Sequence, residues 1–129
     1  MLKTKSVASP IDKEKDGLRI LVTCFRGRGL PSSRYYVWMS SLGPSEKLLS
    51  KMQKGKINWQ QFAVKKEIFE SREFDKSNET IKNHGQKFSL RLLKHMAKRD
   101  NVTLMCHCAE DQKQCHRHIL KAVIESKKI

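Results

Sequence analysis

Residues 101–120 read NVTLMCHCAEDQKQCHRHIL, and the order of elements inside this stretch decides the fold. Its first eight residues, Asn101 to Cys108, form an apolar run too short for a helix and suited to a buried strand. A strand alternates its side chains, so Val102, Leu104, Cys106 and Cys108 face one way and Thr103, Met105 and His107 the other. The polar turn AEDQKQ follows, and a closing helix is predicted from about Gln112 to Ser126. Strand, turn and helix in that order are half of a parallel crossover unit.

Working outward, a second run of the same kind lies at Leu18 to Cys24, LRILVTC, after the breaker Asp16-Gly17. It reads as a strand buried on both faces and opens into a loop, FRGRGLPSS, rich in glycine, proline and serine. The opening KTKSVAS suits a third, edge strand. Between the two confident strands the pattern turns helical. Ser33 to Met52 reads as two short helical pieces split by Gly43-Pro44-Ser45. Residues 57–74 place Trp59, Phe62, Lys66 and Phe69 near helical spacing. Residues 78–99 put Phe88, Leu92, Leu93 and Met96 on one face, with Gly85 weakening the start. Strands separated by helices predict an α/β fold: a single compact domain over residues 1–129, with a small, mostly parallel sheet covered by helices.

Composition narrows the function classes. The chain has 129 residues, 38% hydrophobic and 31% charged, which suits one soluble core. No apolar run reaches the roughly 18–20 residues of a membrane span. The charged opening MLKTKSVASPIDKEKDG is no secretory signal, so the reading is cytoplasmic, with reduced thiols and no membrane partner. A net charge of +14 draws phosphates and nucleic acid towards the surface. Lysine outnumbers arginine more than two to one, however, and a lysine-rich solvated surface explains the charge equally well.

Ligands of open parallel sheets sit beyond the carboxyl ends of the strands. There the first strand delivers Cys24, Arg26 and Arg28, and the second delivers Cys106, His107, Cys108 and Glu110 ahead of Cys115-His116-Arg117-His118. Within this group Cys24 and Cys106 read as core, while Cys108, nearer the strand end, is the better site candidate. Cys115, at a helix start, is either a reactive thiol or packing. Arg117 places positive charge where the helix dipole already opposes it. Glu110 and Asp111 (a possible N-cap) would neutralise it, or else a bound anion would. Cysteines and histidines supply zinc-ligand atoms without the usual CxxC spacing, so no metal and no cofactor is assigned. A thiol phosphatase is rejected, because Gln114 stands where the loop after His107-Cys108 requires arginine.

These residues carry a resemblance. The chain is similar to the YeaO-like family of small proteins, the domain of unknown function DUF 488. The similarity runs through Arg28-Gly29-Leu30, Trp38 to Leu48, Trp59 with Phe62, Val102-Thr103-Leu104, Cys108-Ala109-Glu110 and Cys115-His116-Arg117. It implies a compact α/β fold, residence in the cytosol, and recurrent polar positions at Arg28, Pro44, Ser45, Glu110, Cys115, His116 and Arg117. Two places depart from the family pattern. Thr23-Cys24 replaces an acidic-plus-basic pair, and the spacing from Cys-Ala-Glu to Cys-His-Arg is one residue short.

The leading expectation is a phosphorylated or nucleotide ligand gripped by Arg28 and Arg117, with Ser45 and Cys115 at the ligand and Glu110 with His116 transferring protons. Whether chemistry accompanies binding is left open. The alternatives are a basic nucleic-acid-binding protein without catalysis and, further down, a thiol-redox or metal protein. Neither a reaction nor an oligomeric state follows from the sequence.

Overall fold

The computed structural model describes residues 1–44, 46–61 and 81–126. Four parallel strands form one sheet in the order β1-β4-β2-β3. They are β1 (Leu2–Ser6), β2 (Leu18–Leu21), β3 (Val37–Trp38) and β4 (Val102–Cys106). The two apolar runs are neighbours at the centre, with Leu18 opposite Val102 and Leu21 opposite Met105. Among the described residues the α-helices are α1 (Lys13–Asp16), α2 (Glu46–Gln53), α3 (Ile81–Met96) and α4 (His116–Glu125). The molecule is a single α/β domain, and among the described residues no helix is long and apolar enough to cross a membrane.

Alternation along β4 divides the core as expected. Val102 and Leu104 join Ile20 and Val22 against Leu90 and Leu93 of α3 and Leu120 and Ile124 of α4. On the opposite face Met105 and Leu21 pack with Val7, Leu30 and Tyr35, residues that come mainly from loops.

Several boundaries differ from those expected. Both central strands are shorter at their carboxyl ends, although the N–H of Val22 still donates to the Met105 carbonyl at 3.0 Å. Of the two helical pieces expected within Ser33 to Met52, only the second forms, as α2. A 3-10 turn at Ser32–Arg34, the edge strand β3 and a second turn at Ser40–Leu42 precede α2. The run Tyr35-Tyr36-Val37-Trp38 is aromatic and branched, which favours an extended edge. The apolar stripe of α3 keeps Leu93 and Met96 as expected but runs through Leu90 instead of Phe88 and Leu92. Leu90 and Leu93 are buried, whereas Phe88 and Leu92 are each 54% exposed. Helix α4 begins at His116 with Cys115 as its N-cap, so Asp111 does not cap it. Phe62, Lys66 and Phe69 lie outside the described residues.

A buried ion pair ties α1 to the sheet. The Asp16 carboxylate accepts from Lys5 Nζ at 2.9 and 3.0 Å and from the Asp12 N–H at 2.9 Å. Burial alone would raise the pKa of this acid, but the Asp12 N–H and the Lys5 ammonium outweigh it and hold the pKa below the ordinary 3.8. A depressed folded-state pKa contributes stability above the unfolded value, and that stability is lost as pH falls through the folded value. Asp16→Asn is therefore expected to lower the urea midpoint at neutral pH and to flatten its decline below about pH 4. An acid limb identical to that of the parent would refute this assignment.

Candidate functional site

The carboxyl ends of β2 and β4 lie side by side, and the segments that follow them meet. His116 Nε2 lies 2.5 Å from the Val22 carbonyl. A carbonyl only accepts, so Nε2 carries the hydrogen and Nδ1 keeps its lone pair. Gly27, at φ 94°, passes so close to His107 that a Cβ there would stand 2.6 Å from the imidazole Cε1. The glycine-arginine bend after β2 thus rests on the turn leading into α4.

Arg28 sits on this bend, exposed, and makes no hydrogen bond or ion pair among the described residues. Arg26 is committed differently: it donates to Tyr35 Oη and the Leu30 carbonyl, with its guanidinium 5.5 Å from the Tyr35 ring centre. Glu110 keeps about half its side chain in solvent while Oε1 accepts the Ser9 hydroxyl at 2.7 Å. Ser45 lies outside the described residues. Cys24 is half-buried and takes no part in the sulfur cluster below; burial and the Glu46 carboxylate push its thiol pKa up.

Arg117 is fully buried, with no exposed surface. Its guanidinium turns back from the helix start into the preceding turn. Nη1 donates to Cys106 Sγ at 3.0 Å and to the Cys108 carbonyl at 3.2 Å. Nη2 donates to the carbonyls of Ala109 at 3.0 Å and Glu110 at 3.1 Å, and lies 3.8 Å from Glu110 Oε2. The charge conflict expected at the start of α4 is therefore met by three turn carbonyls, a sulfur and, at 3.8 Å, the Glu110 carboxylate.

That sulfur belongs to a cluster. The Sγ atoms of Cys106, Cys108 and Cys115 all lie within 4.8 Å of one another, and Cys106 and Cys115 are 2.8 Å apart. The hydrogen bond from Cys115 lowers the Cys106 pKa to about 5 against the opposing effect of burial, helped by the Arg117 guanidinium. The thiolate form is thereby favoured at Cys106 over its two neighbours. The Cys115 thiol donates that hydrogen bond, which together with burial pushes its own pKa up. Burial likewise raises Cys108. His116 Nδ1 faces Cys115 Sγ at 3.9 Å, and burial lowers the imidazole pKa, keeping the ring neutral.

The sequence profile of the active DUF488-N3 subclade matches residues 2–128. The chain belongs to the DUF488 family. No curated protein and no solved structure matched it. Within this DUF488 chain, Glu110, Cys115, His116 and Arg117 cluster at one end of the sheet with Arg28 on the adjoining bend. Thr23, at the departure from the family pattern, is buried: its hydroxyl donates to the Phe25 carbonyl at 2.6 Å and its carbonyl accepts Trp38 Nε1 at 2.8 Å. The first strand thus ends in packing and hydrogen bonds instead of a charge pair. The reading of Cys106 as core catches its burial but misses its chemistry. The available signal was the Cys-x-Cys repeat, which puts two sulfurs on one face of a strand ahead of Cys115.

Proposed function

We propose that this DUF488 protein binds a phosphorylated or nucleotide ligand over the carboxyl ends of β2 and β4. The observation that carries the reading is Arg28, an exposed guanidinium without a partner among the described residues, held on a glycine bend against the entrance of α4. A guanidinium offers a planar fork suited to phosphate oxygens. Glu110, half in solvent and positioned by the Ser9 hydroxyl, is the group for proton transfer. His116 supports the site differently from the expected acid–base pairing, since its lone-pair nitrogen turns towards sulfur. Arg117 acts as a positioning residue, shaping the turn that carries Glu110 instead of gripping the anion itself.

Calorimetric titration with inorganic phosphate, nucleotides and sugar phosphates tests the reading. Binding tighter than about 1 mM is expected, and Arg28→Ala should weaken it about tenfold to a hundredfold, the worth of a charged hydrogen bond. The thermal midpoint should hardly change, because Arg28 is exposed. No binding across the panel would overturn the proposal.

The net charge and two exposed aromatics on the edge strand region, Tyr36 and Trp38, favour nucleic acid as a second reading. Its mark is an affinity that falls steeply with salt and is only dented by Arg28→Ala.

A further inference from the structure

The sulfur cluster supports a site of its own, independent of any anion at Arg28. We infer that Cys106, Cys108, Cys115 and His116 Nδ1 form a site for a thiophilic divalent cation, zinc by preference. Three sulfurs within 4.8 Å of one another surround a single point, and a nitrogen lone pair lies 3.9 Å from one of them. Four ligands of this kind are a common zinc set. Around zinc, Zn–S bonds of about 2.3 Å place tetrahedral sulfurs about 3.8 Å apart. The Cys106–Cys115 pair must open by about 1 Å to reach that spacing, while the widest pair closes by a similar amount. Side-chain rotation at one strand end and one helix cap suffices for such shifts.

The surroundings fit an ion better than they fit inert packing or a disulfide. Ligating imidazoles are held by a hydrogen bond from their second nitrogen, as His116 is by the Val22 carbonyl. Arg117, fully buried, aims Nη1 at Cys106 Sγ at 3.0 Å, a donor suited to a metal-bound thiolate. Three thiolates around a divalent cation carry one net negative charge, which the neighbouring guanidinium offsets, and each thiol that ligates releases its proton as the ion enters. A Cys106–Cys115 disulfide would instead leave Nη1 facing a weaker, neutral acceptor and Cys108 outside the bond. Cys108, only half-buried, gives the ion its way in.

The test uses the full chain, reduced and stripped of metal, titrated with cobalt(II). The expected result is a thiolate-to-cobalt charge-transfer band with intense tetrahedral visible bands, saturating at one ion per chain and bleached by zinc. Cys108→Ser should weaken binding by at least about tenfold. His116→Ala should shift the visible bands, and Cys24→Ser should leave both unchanged. A folded chain giving no such band, or parental affinity in Cys108→Ser, would overturn the site. Unchanged spectra in His116→Ala would overturn the fourth ligand. A two-proton mass loss in air with Cys106 bonded to Cys115 would point to a disulfide instead and also overturn the assignment. Anion calorimetry on the metal-free and zinc-loaded chain keeps this result separate from the Arg28 proposal.

Discussion

Arg117→Ala is expected to lower the stability of the fold by about 3–5 kcal/mol, the cost of removing one partner from a buried charged pair. The side chain has no exposed surface, and its removal strips donors from the Cys106 thiolate and from the carbonyls of Cys108, Ala109 and Glu110. The turn carbonyls would lose a charged donor, and the buried Cys106 sulfur would be left without its own. Total stability of a domain this size is about 5–15 kcal/mol, and the alanine variant gives up a large part of it. Arg117→Lys separates shape from charge. An ammonium keeps the charge beside Cys106 but cannot reach all three carbonyls with a fixed fork, so it should recover less than half of the loss. Urea denaturation with an unchanged slope measures both variants. A loss under about 1 kcal/mol in Arg117→Ala would mean that the guanidinium is not the pin of this turn.

The sequence showed where this pin would be, though not what it does. Arg117 stood out because positive charge at a helix start is unfavourable, which pointed to compensation nearby. Glu110, which the sequence offered, lies 3.8 Å from the guanidinium; the other compensating groups are Cys106 Sγ and turn carbonyls, and backbone oxygens leave no trace in residue identity. Fully buried arginine is also rare enough that a pattern reading assigns the side chain to solvent or to a ligand. The sheet was easier to read. Leu18 to Leu21 and Val102 to Cys106 are continuous apolar runs, and such runs in parallel sheets are buried on both faces. Strand β3 escaped notice because two residues show no period, and its pairing is carried by backbone bonds from Tyr36 to Arg19 and from Met39 to Leu21. The face of α3 was placed only in part: Leu93 and Met96 pack inward, but a stripe completed by Phe88 and Leu92 looks as good as one completed by Leu90. Only the neighbouring Leu120 and Ile124 on α4 decide between the two.

Gly17→Ala should be as damaging as the loss of Arg117, for a steric reason and at the far end of the sheet. Gly17 caps α1 at φ 60° and ψ −130°, a backbone conformation that side chains disfavour. A Cβ on it would lie 2.0 Å from the Asn101 carbonyl oxygen and 2.7 Å from its carbon. That oxygen accepts the Leu18 N–H at 2.9 Å, at the start of the pairing between β2 and β4. Relief of the clash therefore requires the two central strands to part where their register begins. Backbone strain of about 1–3 kcal/mol and overpacking of about 1–3 kcal/mol add to about 2–6 kcal/mol. Gly55→Ala isolates the first contribution, since Gly55 has φ 71° and nothing within 4 Å of an added Cβ. Thermal unfolding of the two variants should thus give a small shift for Gly55→Ala and one at least twice as large for Gly17→Ala. Equal shifts would show that Asn101 gives way easily, and the β2–β4 register would then have to be set by the apolar contacts of Ile20 and Leu104 alone.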